Sequence, residues 1–300
     1  MILLTGANGF LGKYIYGEII KTEEVLTLGR KDASIICDLE NCQFYIDQPI
    51  DIVIHCAGLA HVFNNDKSTN DIFYSANVVG TNNLLLSLEN SNCFPKYFLY
   101  ISSVSVYGLI NGENIDESRP LLAKDPYGRS KIEAELIIKK WCNDNNIICT
   151  ILRLPLVIGV NPPGNLGSMI RGIKNGYYFN IGGGKAKKSM VLASDIAKFI
   201  LKASEVGGTY NLTDGIHPSF NELSKSISQN LHKSFVPNMP LFVAKFLAKI
   251  GDIIGSPFPI NTKKLSKITS TLTFDDSKAK AAFGWNPTPV LEVFKLYKDV

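Results

Sequence analysis

The chain has no run of about 20 apolar residues, so a membrane-spanning helix is not expected. Its most apolar helix-like stretch, Leu241 to Ile254, is interrupted by Lys245, Lys249 and Asp252. That pattern reads as an amphipathic helix packing on a core or a subunit neighbour rather than on lipid. The sequence enters a strand at once with Met1-Ile-Leu-Leu-Thr-Gly, so no signal or transit peptide is expected. Six cysteines (37, 42, 56, 93, 142, 149) contain no C-x-x-C and no regular framework. Reduced thiols in a reducing, cytoplasmic compartment are the expectation. Cys37 and Cys42 with His55 or His61 match no zinc spacing, so no metal is expected. There is no internal repeat and no low-complexity tract. The lysines look scattered and the net charge is only +4. Neither a nucleic-acid footprint nor a polybasic membrane patch follows, although an anionic substrate would be suited.

What is present is a globular α/β pattern. Apolar residues make up 45% of 300 and charged residues 19%, enough for a large core. Strands are expected at Met1–Leu4, Val25–Leu28, Asp51–His55, Tyr97–Ser102 and Ile147–Leu154. Helices are expected at Leu11–Lys21, weakly near Asn41–Ile46, and at Asp71–Glu89 and Pro126–Asn143. Such alternation implies a Rossmann-type doubly wound parallel sheet. After Leu156 the character changes, with Pro155, Pro162 and Pro163, a helix from about Leu166 to Asn175, and a helix capped by Ser194 or Asp195. Gly208 to Asp214 reads as a strand rejoining the sheet. The expected organisation is a dinucleotide-binding domain of residues 1–156 and about 191–214. A smaller, helix-rich C-terminal substrate lobe takes about 157–190 and 215–300.

Thr5-Gly6-Ala-Asn-Gly9-Phe-Leu-Gly12 follows the first strand and opens the first helix. Gly6 permits the tight turn, Gly9 lets the backbone approach a pyrophosphate, and Gly12 lets helix and strand pack closely. The helix N-terminus adds free N–H groups and a positive dipole end. The second strand ends Leu28-Gly-Arg30-Lys31, with no acid to hold an adenosine ribose hydroxyl. Arg30 therefore leans the choice toward NADP over NAD, unless Asp32 serves as the acid.

Tyr127-Gly-Arg-Ser-Lys131 places a phenol and an ammonium one helical turn apart. A nearby ammonium favours the phenolate, so the pair is suited to moving a proton at an alcohol or ketone oxygen.

These features together resemble the extended short-chain dehydrogenase/reductase family, the NAD-dependent epimerase/dehydratases of nucleotide sugars. The resemblance rests on T-G-x-x-G-x-x-G at 5–12 and Ile36-Cys-Asp38-Leu39. It continues through His55-Cys56-Ala57-Gly58, Asn77-Val-Val-Gly-Thr81 and Ser102-Ser103-Val-Ser-Val-Tyr107-Gly108, and ends in the Tyr127–Lys131 segment. It implies that Tyr127 is the acid/base, that Lys131 lowers its pKa and holds the nicotinamide ribose, and that Ser103 bonds the same substrate oxygen. It gives Asn77 a place in the active-site helix or a proton relay. Cofactor contacts would come from Gly6, Asn8, Gly9, Phe10, Leu11 and Gly12. Arg30, Asp38, Leu39, Cys56, Ala57, Gly58 and Lys131 would complete them.

In the second part, Arg153-Leu-Pro155-Leu-Val-Ile-Gly159 resembles the family's strand into the substrate lobe. The resemblance places Asn165 and Lys188 against a substrate diphosphate and His61 near the substrate entrance. It implies a homodimer through helices near 71–92 and 126–143. The motif combination looks closest to reductases of UDP-linked 4-keto sugars in surface-polysaccharide synthesis, near the UDP-glucose 4-epimerases. Reductase and 4-epimerase share this machinery, and the sequence leaves both open. A non-catalytic dinucleotide-binding sensor is disfavoured by the intact Ser103, Tyr127 and Lys131. A dehydratase is disfavoured because Ser102-Ser103-Val stands where an Asp-Glu pair would be.

Overall fold

The computed structural model describes residues 1–60, 69–233, 235–255, 258 and 260–292. The first half alternates strand and helix: β1 (Ile2–Thr5), α1 (Phe10–Ile19), β2 (Val25–Gly29), β3 (Ile35–Ile36), β4 (Ile52–His55), α2 (Thr69–Tyr74), α3 (Gly80–Asn90), β5 (Tyr97–Ser103), β6 (Gly112–Ile115), α4 (Pro126–Asp144) and β7 (Ile148–Leu154). The second half runs β8 (Leu156–Ile158), α5 (Gly164–Lys174), β9 (Asn180–Ile181), β10 (Met190–Leu192), α6 (Ala193–Ser204), β11 (Gly208–Asn211), α7 (Phe220–Asn230), β12 (Asn238–Met239), α8 (Leu241–Ile254), α9 (Thr262–Thr269), β13 (Leu272–Phe274) and α10 (Ser277–Phe283).

Seven strands form one sheet in the order β11-β7-β5-β4-β1-β2-β3, and every described pairing in it is parallel. This is the doubly wound order, and the strand order reverses between β1 and β4. The strands read as near-continuous apolar runs because both faces are covered. One core lies under α1 and α6 around Leu4, Ile15, Ile54 and Ile200, and the other under α3 and α4 around Leu3, Val53, Leu84 and Ile138. The expected return of residues 208–214 to the sheet is found as β11 beside β7. The short pairs β8–β10, β9–β12 and β6–β13 stand outside the main sheet.

Four details depart from the sequence reading. Residues 41–46 form no helix; Ser87 on α3 and Ser91 just after it accept hydrogen bonds from the Phe44 and Ile46 N–H groups and hold the segment against α3. The long helix between β4 and β5 carries a π-turn at Ser75–Val79, closed by Gly80 N–H donating to Ser75 O. Helix α6 starts at Ala193 without a side-chain cap; Asp195 is buried and accepts from Thr288 N at 2.6 Å instead. Finally, Cys37 and Cys42 are paired as a disulfide, with Cα atoms 6.3 Å apart. The Asp38 carbonyl accepts from both Asn41 N and Cys42 N, and this turn swings Cys42 back onto Cys37. Cys56, Cys93, Cys142 and Cys149 are free thiols. Among the described residues no helix is long and apolar enough to cross a membrane.

Candidate active site

The site gathers at the carboxyl ends of β1, β4 and β5, beside the N-terminus of α4. Gly9 N–H donates to Gly6 O at 2.9 Å and closes the turn between β1 and α1. A Cβ on Gly12 would overlap the Gly6 carbonyl, so helix and loop pack at a distance only glycine allows. Phe10 is half-buried and Leu11 is core. Asn8 donates to the Lys31 and Asp32 carbonyls and ties the loop to the segment after β2. Arg30 follows β2 directly and is exposed, with no carboxylate partner among the described residues. The Asp38 carboxylate serves its own turn, accepting from Glu40 N and Asn41 Nδ2. Leu39 is buried and its carbonyl accepts from Asn83 at 2.6 Å.

At the end of β4, Cys56, Ala57 and Gly58 form the opposite wall. Burial pushes the Cys56 thiol up to about 12, so it stays neutral. Gly58 has φ +156, and a Cβ there would lie 2.7 Å from Asn77 Oδ1 and 3.5 Å from Lys131 Nζ. The bare backbone at Gly58 therefore opens onto Lys131 and Asn77. The glycine turn, the helix N-terminus and this cleared wall fit a dinucleotide with its pyrophosphate at α1.

Asp125 caps α4 through Gly128 N, and Pro126 occupies its first turn, so Tyr127 sits at the start of the helix. The Tyr127 ring packs on Phe73 at 5.6 Å. Burial pushes the Tyr127 phenol above its ordinary value; the Ser103 hydroxyl bonded to it pulls the other way, and the Asp125 carboxylate raises it. Ser103 Oγ also accepts from Ser105 N, which leaves its own proton for Tyr127. Ser102 is committed elsewhere: it donates to Glu135 at 2.6 Å inside the buried Arg153–Glu135 ion pair.

Lys131 is anchored at the carboxyl end of β5. Its Nζ donates to Tyr100 OH and to the Ile101 carbonyl, both at 2.9 Å, and stands over the Tyr100 ring. The buried β5 end offers these acceptors to an ammonium that would otherwise be unsatisfied. Burial lowers the Lys131 ammonium to about 8, while Cys56 and Glu135 oppose that. The Tyr127 phenol is governed by burial and Ser103, and Lys131 lies behind it against Tyr100.

Asn77 emerges as the tie of the site. Its Oδ1 accepts from Leu59 N at 2.8 Å, and its Nδ2 donates to Leu59 O and to Ser130 Oγ. Ser130 Oγ in turn donates to the Tyr127 carbonyl. Asn77 therefore fixes the β4 loop to the first turn of α4. Tyr100 and Ser130 were given no role from sequence. Ser130 lies inside the Tyr-x-x-Ser-Lys spacing, which was the available signal.

The remaining expected residues lie in the second half. Asn165 is exposed in the first turn of α5. Lys188 is half-buried, and burial followed by the Lys267 charge lowers it to about 8. No described carboxylate pairs with it, and no contact joins it to Asn165. His61 lies outside the described residues.

Residues 2–213 match the NAD dependent epimerase/dehydratase family. The chain is 28% identical to the N-acetyl-alpha-D-glucosaminyl-diphospho-ditrans,octacis-undecaprenol 4-epimerase of Escherichia coli O157:H7, over 94% of this chain and 89% of that one. The fold matches the UDP-glucose 4-epimerase of Thermotoga maritima with UDP-glucose, at TM-score 0.74 and 19% identity over 99% of this chain and 97% of that one. It also matches RMD from Pseudomonas aeruginosa complexed with NADPH, at TM-score 0.75 and 20% identity over 98% and 96%. The chain belongs to the NAD dependent epimerase/dehydratase family and is an NAD(P)-dependent enzyme of the oxidoreductase/epimerase type.

Proposed function

We propose that this protein is a 4-epimerase of a sugar carried on a diphosphate, with a UDP-sugar as substrate. The observation that carries the reading is Tyr127: a buried phenol bonded to Ser103, with Lys131 held at the wall left open by Gly58. When bound, the nicotinamide would supply the hydride acceptor and donor. Gly6, Gly9, Gly12 and the α1 N-terminus would hold the pyrophosphate, Asp38 and Leu39 the adenine side, and Lys131 the ribose hydroxyls. As the phenolate, Tyr127 would take the C4 hydroxyl proton to become the phenol and later return it, with the Ser103 hydroxyl turning from Tyr127 to donate to the same substrate oxygen as charge builds there. Lys188, a cation without a carboxylate partner beside a second lysine, supports an anionic diphosphate in the second half, with Asn165 as a further contact. The lobe division at 1–156 with 191–214, and 157–190 with 215–300, belongs to this proposal. So does a homodimer, supported by Ile72, Leu86 and Leu136, which are exposed on α2, α3 and α4.

Arg30 supports NADP over NAD, and one-way reduction of a 4-keto sugar is the alternative that a freely exchanged NADPH would favour. A second carrier, polyprenyl diphosphate, is favoured by the likeness to the Escherichia coli relative. Incubation with UDP-hexoses, UDP-N-acetylhexosamines and their 4-keto forms tests the proposal. Proton NMR reads the C4 configuration, and absorbance reads the reduced cofactor. Appearance of the C4 epimer without net cofactor change is expected. Stoichiometric NADPH loss on the keto sugar alone would establish the reductase instead.

A further inference from the structure

Tyr14 ties the cofactor helix to the segment that opens the second half. It lies one helical turn beyond Phe10, and the two rings meet edge to face with centroids 5.9 Å apart. Phe10 is the first residue of α1, directly after the glycine turn. The Tyr14 hydroxyl accepts a hydrogen bond from Val160 N–H at 2.7 Å. Val160 lies just past the end of β8 and is exposed, so water could have served its N–H instead.

Missing side chains let this segment press on both halves. A Cβ on Gly159 would lie 2.7 Å from the Tyr14 hydroxyl and 3.0 Å from Phe10 Cζ. Gly159 does not have a positive φ, so its bare Cα serves the close approach and not a turn. At the other end, a Cβ on Gly167 of α5 would overlap the Pro162 carbonyl oxygen. Residues 159–162 are thus seated on α1 at one end and on the first turns of α5 at the other. Pro162 and Pro163 stiffen the path between them. A shift at Val160 would therefore pass into the first turn of α5, which carries Asn165.

We propose that Tyr14 is a positioning residue. By holding Val160 it sets where Asn165 stands relative to a cofactor bound at the α1 turn. The inference rests on the reading that Asn165 meets the substrate diphosphate. The Tyr14 ring alone would fill its place in the core beside α1. Its hydroxyl adds one directed bond that couples the two halves. A cofactor that orders the first turn of α1 would then order the 157–166 segment as well, before substrate arrives.

Tyr14→Phe keeps the ring and removes the acceptor. Hydrogen–deuterium exchange of the full-length protein, with and without saturating NADP+ or NAD+, reads the coupling. Cofactor should slow backbone exchange across residues 157–166 by at least about five-fold in the parent protein. Tyr14→Phe should lose that protection with its cofactor Kd within about two-fold of the parent's. Gly159→Ala, which crowds the same hydroxyl, should reproduce the loss. Tyr16→Phe, a neighbour on α1 whose hydroxyl has no hydrogen-bond partner among the described residues, should keep the protection. With a UDP-sugar that the enzyme turns over, Tyr14→Phe should raise KM at least about five-fold and leave kcat within about two-fold, a split that a general loss of structure would not give. Cofactor protection equal in parent and Tyr14→Phe, protection absent from the parent, or an unchanged KM overturns the proposal. A parent protein that turns over no UDP-sugar would sink the proposed function and leave the exchange comparison to decide this inference.

Discussion

His55 Nε2 lies 3.0 Å from Thr81 Oγ1, and the direction of that bond is fixed. Thr81 donates its only proton to the Asn77 carbonyl at 2.6 Å, so it must accept from His55. His55 then carries its proton on Nε2 and accepts at Nδ1 from Thr5 Oγ1, 2.7 Å away. Thr5 in turn accepts from Ala57 N–H. One directed chain runs from the β4 wall, through β1, to the π-turn that presents Asn77. Burial, and then the charge of Lys131, lowers His55 to about 3, which keeps it neutral and the chain intact.

The acid limb of stability follows from that chain. The unfolded chain protonates His55 near its ordinary 6.5, whereas the native state resists until about 3. Stability contributed by neutral His55 is therefore present above 6.5 and is lost as pH falls from 6.5 toward 3. His55→Gln should lower stability at pH 7 by about 1–3 kcal/mol, since a buried hydroxyl loses its partner. Its stability should also fall less steeply between pH 6 and 4, by about one bound proton. Urea titrations across that range measure both.

Tyr127→Phe should leave cofactor binding within about two-fold and reduce turnover by at least about 10²-fold, the range for a lost acid/base. Ser103→Ala should reduce turnover less and raise the Tyr127 titration further, because the bonded hydroxyl is what pulls that phenol down. Cofactor fluorescence titration and steady-state kinetics separate the two effects. A Tyr127→Phe enzyme with parental turnover would remove the phenol from the chemistry.

Asn77→Ala should strand both Leu59 main-chain groups and release Ser130. A loss of about 1 kcal/mol is expected from the unpaired, half-buried main-chain groups. Turnover should drop more than substrate KM rises, since Tyr127 would be misplaced rather than removed. Thermal denaturation read beside the kcat and KM split checks this. Equal losses in Asn77→Ala and Asn77→Asp would point to the amide nitrogen, since both remove it.

The local signals in the chain carried the fold well. Strand–turn–helix order placed the glycine loop, and Ser103 and Tyr127 are bonded to each other. What stayed hidden depends on residues distant in sequence. Lys131 is held by Tyr100 and Ile101, about thirty positions upstream, so its distance from Tyr127 along the helix could not reveal its true acceptor. Asn77 sits on a π-turn because its amide answers Leu59 and Ser130 from two other segments. Arg30 was legible as a residue at the β2 tip, and its exposure leaves it available for a 2′-phosphate. NADPH should accordingly bind more tightly than NADH, and Arg30→Ala should narrow that preference by about ten-fold, the loss of one exposed charge-assisted contact.

Lys131 sets the alkaline limit. With its ammonium lowered to about 8 by burial, the free enzyme loses the charged form as pH rises through 8. If the charged form holds the cofactor ribose, kcat/KM should fall above pH 8, and cofactor affinity should fall with it. Stability moves the opposite way. The unfolded lysine keeps its proton to about 10.5, so the native state releases a proton first and gains stability between pH 8 and 10.5. The full difference is on the order of 3 kcal/mol. A cofactor-free protein that becomes more resistant to urea across that interval, while its catalytic efficiency declines, would show both signs at once. Lys131→Met should abolish the fall in catalytic efficiency and remove this share of the stability gain, while Lys188, also lowered to about 8, keeps its own share and Cys56, raised to about 12, opposes both above pH 9.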